Sequence, residues 1–279
     1  MVRYIVLALI LLIALGVCAG VDGFCGLGWL WILPVCILGS AVALIVVYFL
    51  TLWISSLLVN IEKPQKKDNP FYRWLVQTTA SLGIWILRIR VRTRGLEQLP
   101  KSGRFMLVCN HLSLLDPLIL LNYCKKSQLA FIAKRESASM FLVGKLMHRM
   151  MCQLINREND REALKTIINC IRMIQEDKVS VAVFPEGYIT GDDLLHPFRS
   201  GVFKIAQKAN VPIVVCTLQN TQEVKRNMPH LRHTDVAFHL LGVIQPEDFA
   251  GMTTVDIGNK VHAMMAEDLG PDLVFQENP

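Results

Sequence analysis

Phe105-Met106-Leu107-Val108-Cys109, followed at once by Asn110-His111-Leu112-Ser113-Leu114-Leu115-Asp116-Pro117, decides how this chain is read. The first five residues are apolar and read as a buried strand. The next eight set a histidine and a carboxylate five positions apart. An imidazole can accept a proton near neutral pH, and a carboxylate on its other nitrogen fixes the tautomer and stabilises the imidazolium that forms. Five steps of an ideal helix rotate about 500°, leaving the two side chains about 140° apart. They meet only if the segment begins as a turn and becomes helical partway, with Asn110 and Ser113 as the available caps. Taken alone, His-x-x-x-x-Asp is more often a loop histidine with an unrelated acid nearby; the rest of the chain reverses that reading.

Strand and helix patterns alternate around this segment. Arg88 to Arg94 alternates charged and apolar residues as a half-exposed strand does, and Gly95 to Leu99 breaks it before Pro100. Leu129 to Ala133, Val179 to Phe184, Val211 to Leu218 and Val236 to Ile244 read as further strands. Pro117 to Tyr123, Gly201 to Ala209 and Thr253 to Leu269 read as helices, as does a segment capped by Asn159 with Ala163, Ile167, Ile171 and Ile174 at helical spacing. Strands separated by helices imply an α/β domain with a mostly parallel, covered sheet and its reactive residues on loops at strand ends.

Two further groups of residues sit at such ends. Val181-Ala182-Val183-Phe184-Pro185-Glu186-Gly187 places a carboxylate and a glycine just after a strand, where backbone can approach a ligand closely. Phe198-Arg199-Ser200-Gly201 opens a helix whose first amides, with Arg199, would hold a phosphate. Leu154-Ile155-Asn156-Arg157 places a second arginine at a strand end. Each arginine by itself reads as a solvated surface charge.

The N-terminal region has a different composition. Tyr4 to Ala19 is apolar and uncharged, and so is the longer run from Phe24 to Val59. A bilayer core needs about 20 helical residues, so the two runs read as a transmembrane helical hairpin turning at Gly20, Asp22 and Gly23. Arg3 before the first run, and Lys63, Lys66, Lys67 and Arg73 after the second, place both ends on the cytoplasmic side. A cleaved signal peptide with Arg3 as its n-region and Val17-Cys18-Ala19 as its processing site is the competing reading of residues 1–20. The expected organisation is a membrane-anchoring hairpin over 1–60, a linker and interfacial or packed helix over 61–100, and a catalytic domain over 101–279. The formal charge of +6 belongs wholly to residues 61–279, which carry 28 positive and 22 negative side chains. This suits a domain held against anionic lipid or drawn to phosphorylated substrates. Nucleic acid is not indicated, since the basic residues are dispersed and no binding motif accompanies them. The eight cysteines form no Cys-x-x-Cys pair and read as reduced, buried small residues.

Taken in order, these residues resemble the 1-acyl-sn-glycerol-3-phosphate acyltransferase family over about Val91 to Leu218. Asn110, His111, Asp116 and Pro117 match its first motif. Lys134, Glu136 and Ile155-Asn156-Arg157 match the second region, Phe184-Pro185-Glu186-Gly187 the third, and Val211-Pro212-Ile213-Val214 the fourth; Pro197-Phe198-Arg199-x-Gly201 follows the third as in the family. The resemblance implies transfer of a fatty acyl group from acyl-CoA or acyl-carrier protein to the sn-2 hydroxyl of lysophosphatidic acid, giving phosphatidic acid. His111 would be the base and Asp116 its orienting carboxylate. Asn110, Lys134, Arg157, Glu186, Gly187 and Arg199 would contact substrate, with Arg157 on the phosphate. A thiolate leaves readily, so no metal or other cofactor is implied. Where the family's third motif continues Thr-Arg-Ser, this chain has Tyr188-Ile189-Thr190, and Val215 stands where the fourth motif commonly has a second proline. The loss of arginine at Ile189 keeps another lysophospholipid open as acceptor. A thioesterase would use the same dyad, but no Gly-x-Ser-x-Gly elbow is present; a non-catalytic lipid-binding protein is the remaining alternative. The basic segment Asn220 to Thr234 is a candidate contact for a carrier protein or for lipid headgroups.

Overall fold

The computed structural model describes residues 2–21, 24 and 26–276, apart from the side chain of Arg3. The chain divides into two compact units, Met1–Glu62 and Lys63–Pro279.

The first unit is two helices packed on one another, α1 (Val2–Gly20) and α2 (Trp29–Leu57). Of these, α2 is long and apolar enough to cross a membrane, while the described apolar run of α1, Tyr4–Gly20, is shorter. The longer helix begins at Trp29, five residues later than its apolar run, and the expected turn at Asp22 and Gly23 lies outside the described residues. Leu38, Val42, Ile45 and Phe49 of α2 are all exposed, although burial of such side chains is what ordinarily stabilises a helix in water.

The second unit is a seven-stranded sheet covered on both faces. Its elements are α3 (Pro70–Ile86), β1 (Ile89–Arg94), β2 (Met106–Cys109), α4 (Asp116–Tyr123), β3 (Leu129–Lys134), α5 (Val143–Arg149), β4 (Gln153–Ile155), α6 (Asp160–Gln175), β5 (Ser180–Val183), α7 (Lys204–Ala209), β6 (Ile213–Gln219), α8 (Glu223–Asn227), β7 (Thr234–Ile244) and α9 (Thr254–Leu269). The spatial order is β1-β7-β6-β2-β5-β3-β4. All neighbours pair parallel except β6 and β7, which run antiparallel. The period-2 alternation of the strands divides the core. Met106, Val108, Val181, Val183, Ile213 and Val215 face a layer with residues of α6, α7 and α9. Leu107, Cys109, Ala182, Val214 and Cys216 face the other layer, with residues of α3 and α4.

α3 packs on the domain through Tyr72, Leu75, Ala80 and Ile84, while Phe71 and Trp74 stay exposed. Asn69 caps it by accepting from the amides of Phe71 and Tyr72. α5 and β4 follow no strong periodicity in the sequence, and both are too short to carry one. The basic segment after Asn220 is largely helical, through α8 and a 3-10 turn at Met228–His230.

Adjacent strands β2 and β5 send their following helices to opposite faces, α4 to one core layer and α7 to the other. A parallel sheet opens a crevice beyond the carboxyl ends of two such strands, and ligands bind there.

Candidate active site

His111 leaves the end of β2 at that crevice. Its Nδ1 lies 2.8 Å from Oδ2 of Asp116, the first residue of α4. The segment between them is a turn that becomes helical at Asp116, which brings the two side chains together across the five-residue offset. The expected caps do not form. The Asp116 carboxylate reaches back instead, and its Oδ2 accepts from the amides of Leu112 at 2.7 Å and Ser113 at 2.9 Å. Ser113 Oγ accepts from the amide of Leu115. Asp116 is fully buried, and its Oδ1 has no hydrogen-bond partner among the described residues. With Nδ1 of His111 engaged, Nε2 is the nitrogen left to act on a substrate.

The His111 ring stacks on Phe184 from the end of β5, with centroids 4.1 Å apart and planes at 16°. Two of the residues expected to contact substrate hold the main chain instead. Asn110 is buried and pairs with the backbone of Leu218 on β6, its Nδ2 donating at 2.9 Å and its Oδ1 accepting at 2.8 Å. Glu186, 1% exposed, accepts from the His111 amide on Oε1 at 2.8 Å and from the His196 amide on Oε2 at 3.1 Å. Burial raises the Glu186 pKa to about 7, against the two amides, which pull it down. Each oxygen has an amide donor, so this carboxylate fixes the loop that carries the base.

At Gly187 the backbone is approached closely by side chains. Its φ is +90°, and a Cβ built there would lie 3.0 Å from Arg199 Nε and 3.6 Å from Arg157 Cζ. The two arginines therefore converge on this glycine. Neither side chain has an ion pair or hydrogen bond among the described residues. Arg157 is half-buried; desolvation and then the Arg199 charge push its pKa down, while Glu136 pulls it up. Two guanidiniums beside one glycine, with no carboxylate hydrogen-bonded to either among the described residues, form an arrangement able to hold a phosphate.

A cavity of about 440 Å³ opens here, lined by Arg157, Gly187, Arg199 and Phe184 together with apolar residues that include Ile132, Ile155, Leu164, Ile167 and Val183. His111 does not line it; Phe184 is the wall shared between cavity and dyad. Asp160 and Lys204 also border the cavity. Lys204 has no motif to mark it in the sequence. The helix expected from Gly201 opens as a 3-10 turn, Ser200–Phe203, with α7 only six residues long, so there is no long helix N-terminus behind Arg199. Lys134 is not brought to the site. It is exposed at the end of β3, 3.7 Å from Glu136, and is absent from the cavity wall.

A covered parallel sheet with a histidine–carboxylate pair at its topological switch point, beside an arginine pair, defines an acyltransferase: residues 90–219 match the family described as Acyltransferase. The chain is 32% identical to a probable 1-acyl-sn-glycerol-3-phosphate acyltransferase of Mycoplasma pneumoniae, over 64% of this chain and 68% of that one. It is 27% identical to the 1-acyl-sn-glycerol-3-phosphate acyltransferase of Cocos nucifera, over 68% of this chain and 61% of that one, so it spans about three fifths of the plant enzyme. Its fold is similar to the crystal structure of the 1-acyl-sn-glycerophosphate acyltransferase PlsC from Thermotoga maritima, with a TM-score of 0.62 and 20% identity, covering 83% of this chain and 90% of that one. The chain belongs to the 1-acyl-sn-glycerol-3-phosphate acyltransferase family.

Proposed function

We propose that this enzyme moves a fatty acyl group from acyl-CoA or acyl-carrier protein to the sn-2 hydroxyl of lysophosphatidic acid, giving phosphatidic acid for phospholipid biosynthesis. The observation that carries the reading is the convergence of Arg157 and Arg199 on Gly187, the residue after the carboxylate that holds the His111 amide. A phosphate on the guanidiniums leaves the glycerol backbone near the dyad and the acyl chain against the apolar side of the cavity. The acceptor hydroxyl oxygen then attacks the thioester carbonyl as Nε2 of His111 takes its proton. The C–S bond breaks on collapse, and the departing thiolate recovers that proton. Asp116 holds the imidazole and offsets its transient charge.

The same reading places residues 1–60 as a membrane hairpin and the catalytic domain on the cytoplasmic face, because α2 is exposed and apolar and the lysines follow it. Acceptor and product then stay in lipid throughout. Ile189, standing where the family has arginine, favours a second reading in which the acceptor carries a larger headgroup.

Acyl transfer from labelled palmitoyl-CoA and from palmitoyl-carrier protein, measured with lysophosphatidic acid and with lysophosphatidylcholine in detergent micelles, separates these readings. The expected result is a preference for lysophosphatidic acid, with Arg157→Ala raising its KM about 10- to 100-fold, the loss of one charged hydrogen-bonded contact. Preference for lysophosphatidylcholine removes the lysophosphatidic acid assignment in favour of the second reading, and indifference to Arg157→Ala removes the phosphate role of Arg157.

A further inference from the structure

The segment after α9 folds back onto the loop that follows Glu186. Leu195 donates its amide to the carbonyl of Leu273 at 2.8 Å, and Phe275 donates its own to the carbonyl of Leu195 at 3.0 Å, so that Leu195 and Val274 form a parallel bridge. Next in the chain is His196, whose ring is stacked on Phe275 with centroids 4.6 Å apart and planes at 25°. Nε2 of His196 lies 2.8 Å from Oδ2 of Asp192. The amide of the same residue is the second donor to Glu186, whose other oxygen holds the amide of His111.

From this geometry we infer that His196 and Phe275 are positioning residues for acyl transfer: the strap Pro271–Phe275 sets the loop 188–196, and through the Glu186 carboxylate it sets the main chain of His111. The physical argument rests on Glu186 being buried with a single donor on each oxygen. A shift of the His196 amide cannot be taken up by water, so the carboxylate must follow it or lose a charged hydrogen bond. Movement of Glu186 carries Gly187 with it, and Gly187 is where Arg157 and Arg199 meet. The strap therefore acts on two places at once, the base and the phosphate site. Phe275 is itself 39% exposed, so its ring adds little to the core and its effect on the loop can be separated from folding.

This inference rests on the proposed acceptor site. The test is steady-state kinetics of wild type, Phe275→Ala, Phe275→Tyr and a chain ended at Gly270, with palmitoyl-CoA as donor and with lysophosphatidic acid and lysophosphatidylcholine as parallel acceptors. Phe275→Ala is expected to lower kcat about three- to tenfold and to raise acceptor KM by a similar factor. Donor KM and melting temperature should stay near wild type, Phe275→Tyr should restore activity, and the shortened chain should lose more. Wild-type kinetics in Phe275→Ala, or a fall in kcat that tracks loss of folded enzyme with acceptor KM unchanged, would overturn the inference whether or not the shortened chain folds. A wild-type enzyme that uses only lysophosphatidylcholine overturns the acceptor assignment and leaves the strap to be judged with that lipid.

Discussion

Two histidine–aspartate pairs in this domain look alike locally and are built for different ends. His111–Asp116 and His239–Asp268 have ring nitrogen to carboxylate distances of 2.8 and 3.0 Å, and their histidine side chains are 17% and 20% exposed. The carboxylates differ. Both oxygens of Asp268 lie within reach of His239 Nδ1; one also accepts from Thr217 Oγ1 at 2.5 Å and the other from Arg94. Burial opposes ionisation of Asp268, but these hydrogen bonds and the Arg94 charge prevail and hold its pKa below the ordinary value. Asp116 places all three of its donors on Oδ2 and leaves Oδ1 buried and unpaired. The Asp268 carboxylate ties α9 to β6, β7 and β1. Among the described residues the Asp116 carboxylate is bonded only to the loop that carries its histidine. A dyad is therefore not a site by itself; what distinguishes His111 is the crevice at β2 and β5 with two unpaired arginines beside it.

Asparagine at each aspartate breaks the comparison most directly. Asp116→Asn removes the charge that stabilises the imidazolium, and kcat should fall about 10²- to 10⁴-fold with the fold retained. Asp268→Asn should leave kcat within about threefold and lower the melting temperature by several degrees, because a partly buried hydrogen-bonded network loses its centre. Equal effects of the two on kcat would erase the distinction.

A smaller effect sharpens it through pH. Glu186 titrates near 7 when folded and in the ordinary carboxylate range when unfolded, so the folded chain holds the proton longer. Its contribution to stability is greatest below the unfolded value and is lost as pH rises to about 7. Urea unfolding between pH 5 and 8 should show this fall, on the order of a few kcal/mol, and Glu186→Gln should flatten it. A wild-type slope of the opposite sign would mean that the amide bonds outweigh burial.

Much of this domain is legible in the sequence because its strands are short apolar runs bounded by turn residues, and because Asn159 caps its helix as the pattern predicts. The dyad is legible because its five-residue spacing has one geometric solution. The roles of Asn110 and Glu186 are not, since a polar residue after a strand reads the same whether it faces a ligand or pins a backbone, and only burial separates the two. Lys134 sits in a matching motif, yet the strand end turns it to solvent. His196 and Lys204 leave no signal, because their importance comes from contacts made by segments distant in the chain.

The most direct test of the central claim is the rate of acyl transfer by His111→Ala and His239→Ala side by side, with circular dichroism confirming that both are folded. The account predicts a loss of at least about 10³-fold for the first, as removal of a general base requires, and less than about threefold for the second. A folded His111→Ala enzyme that retains more than a tenth of wild-type turnover would contradict it.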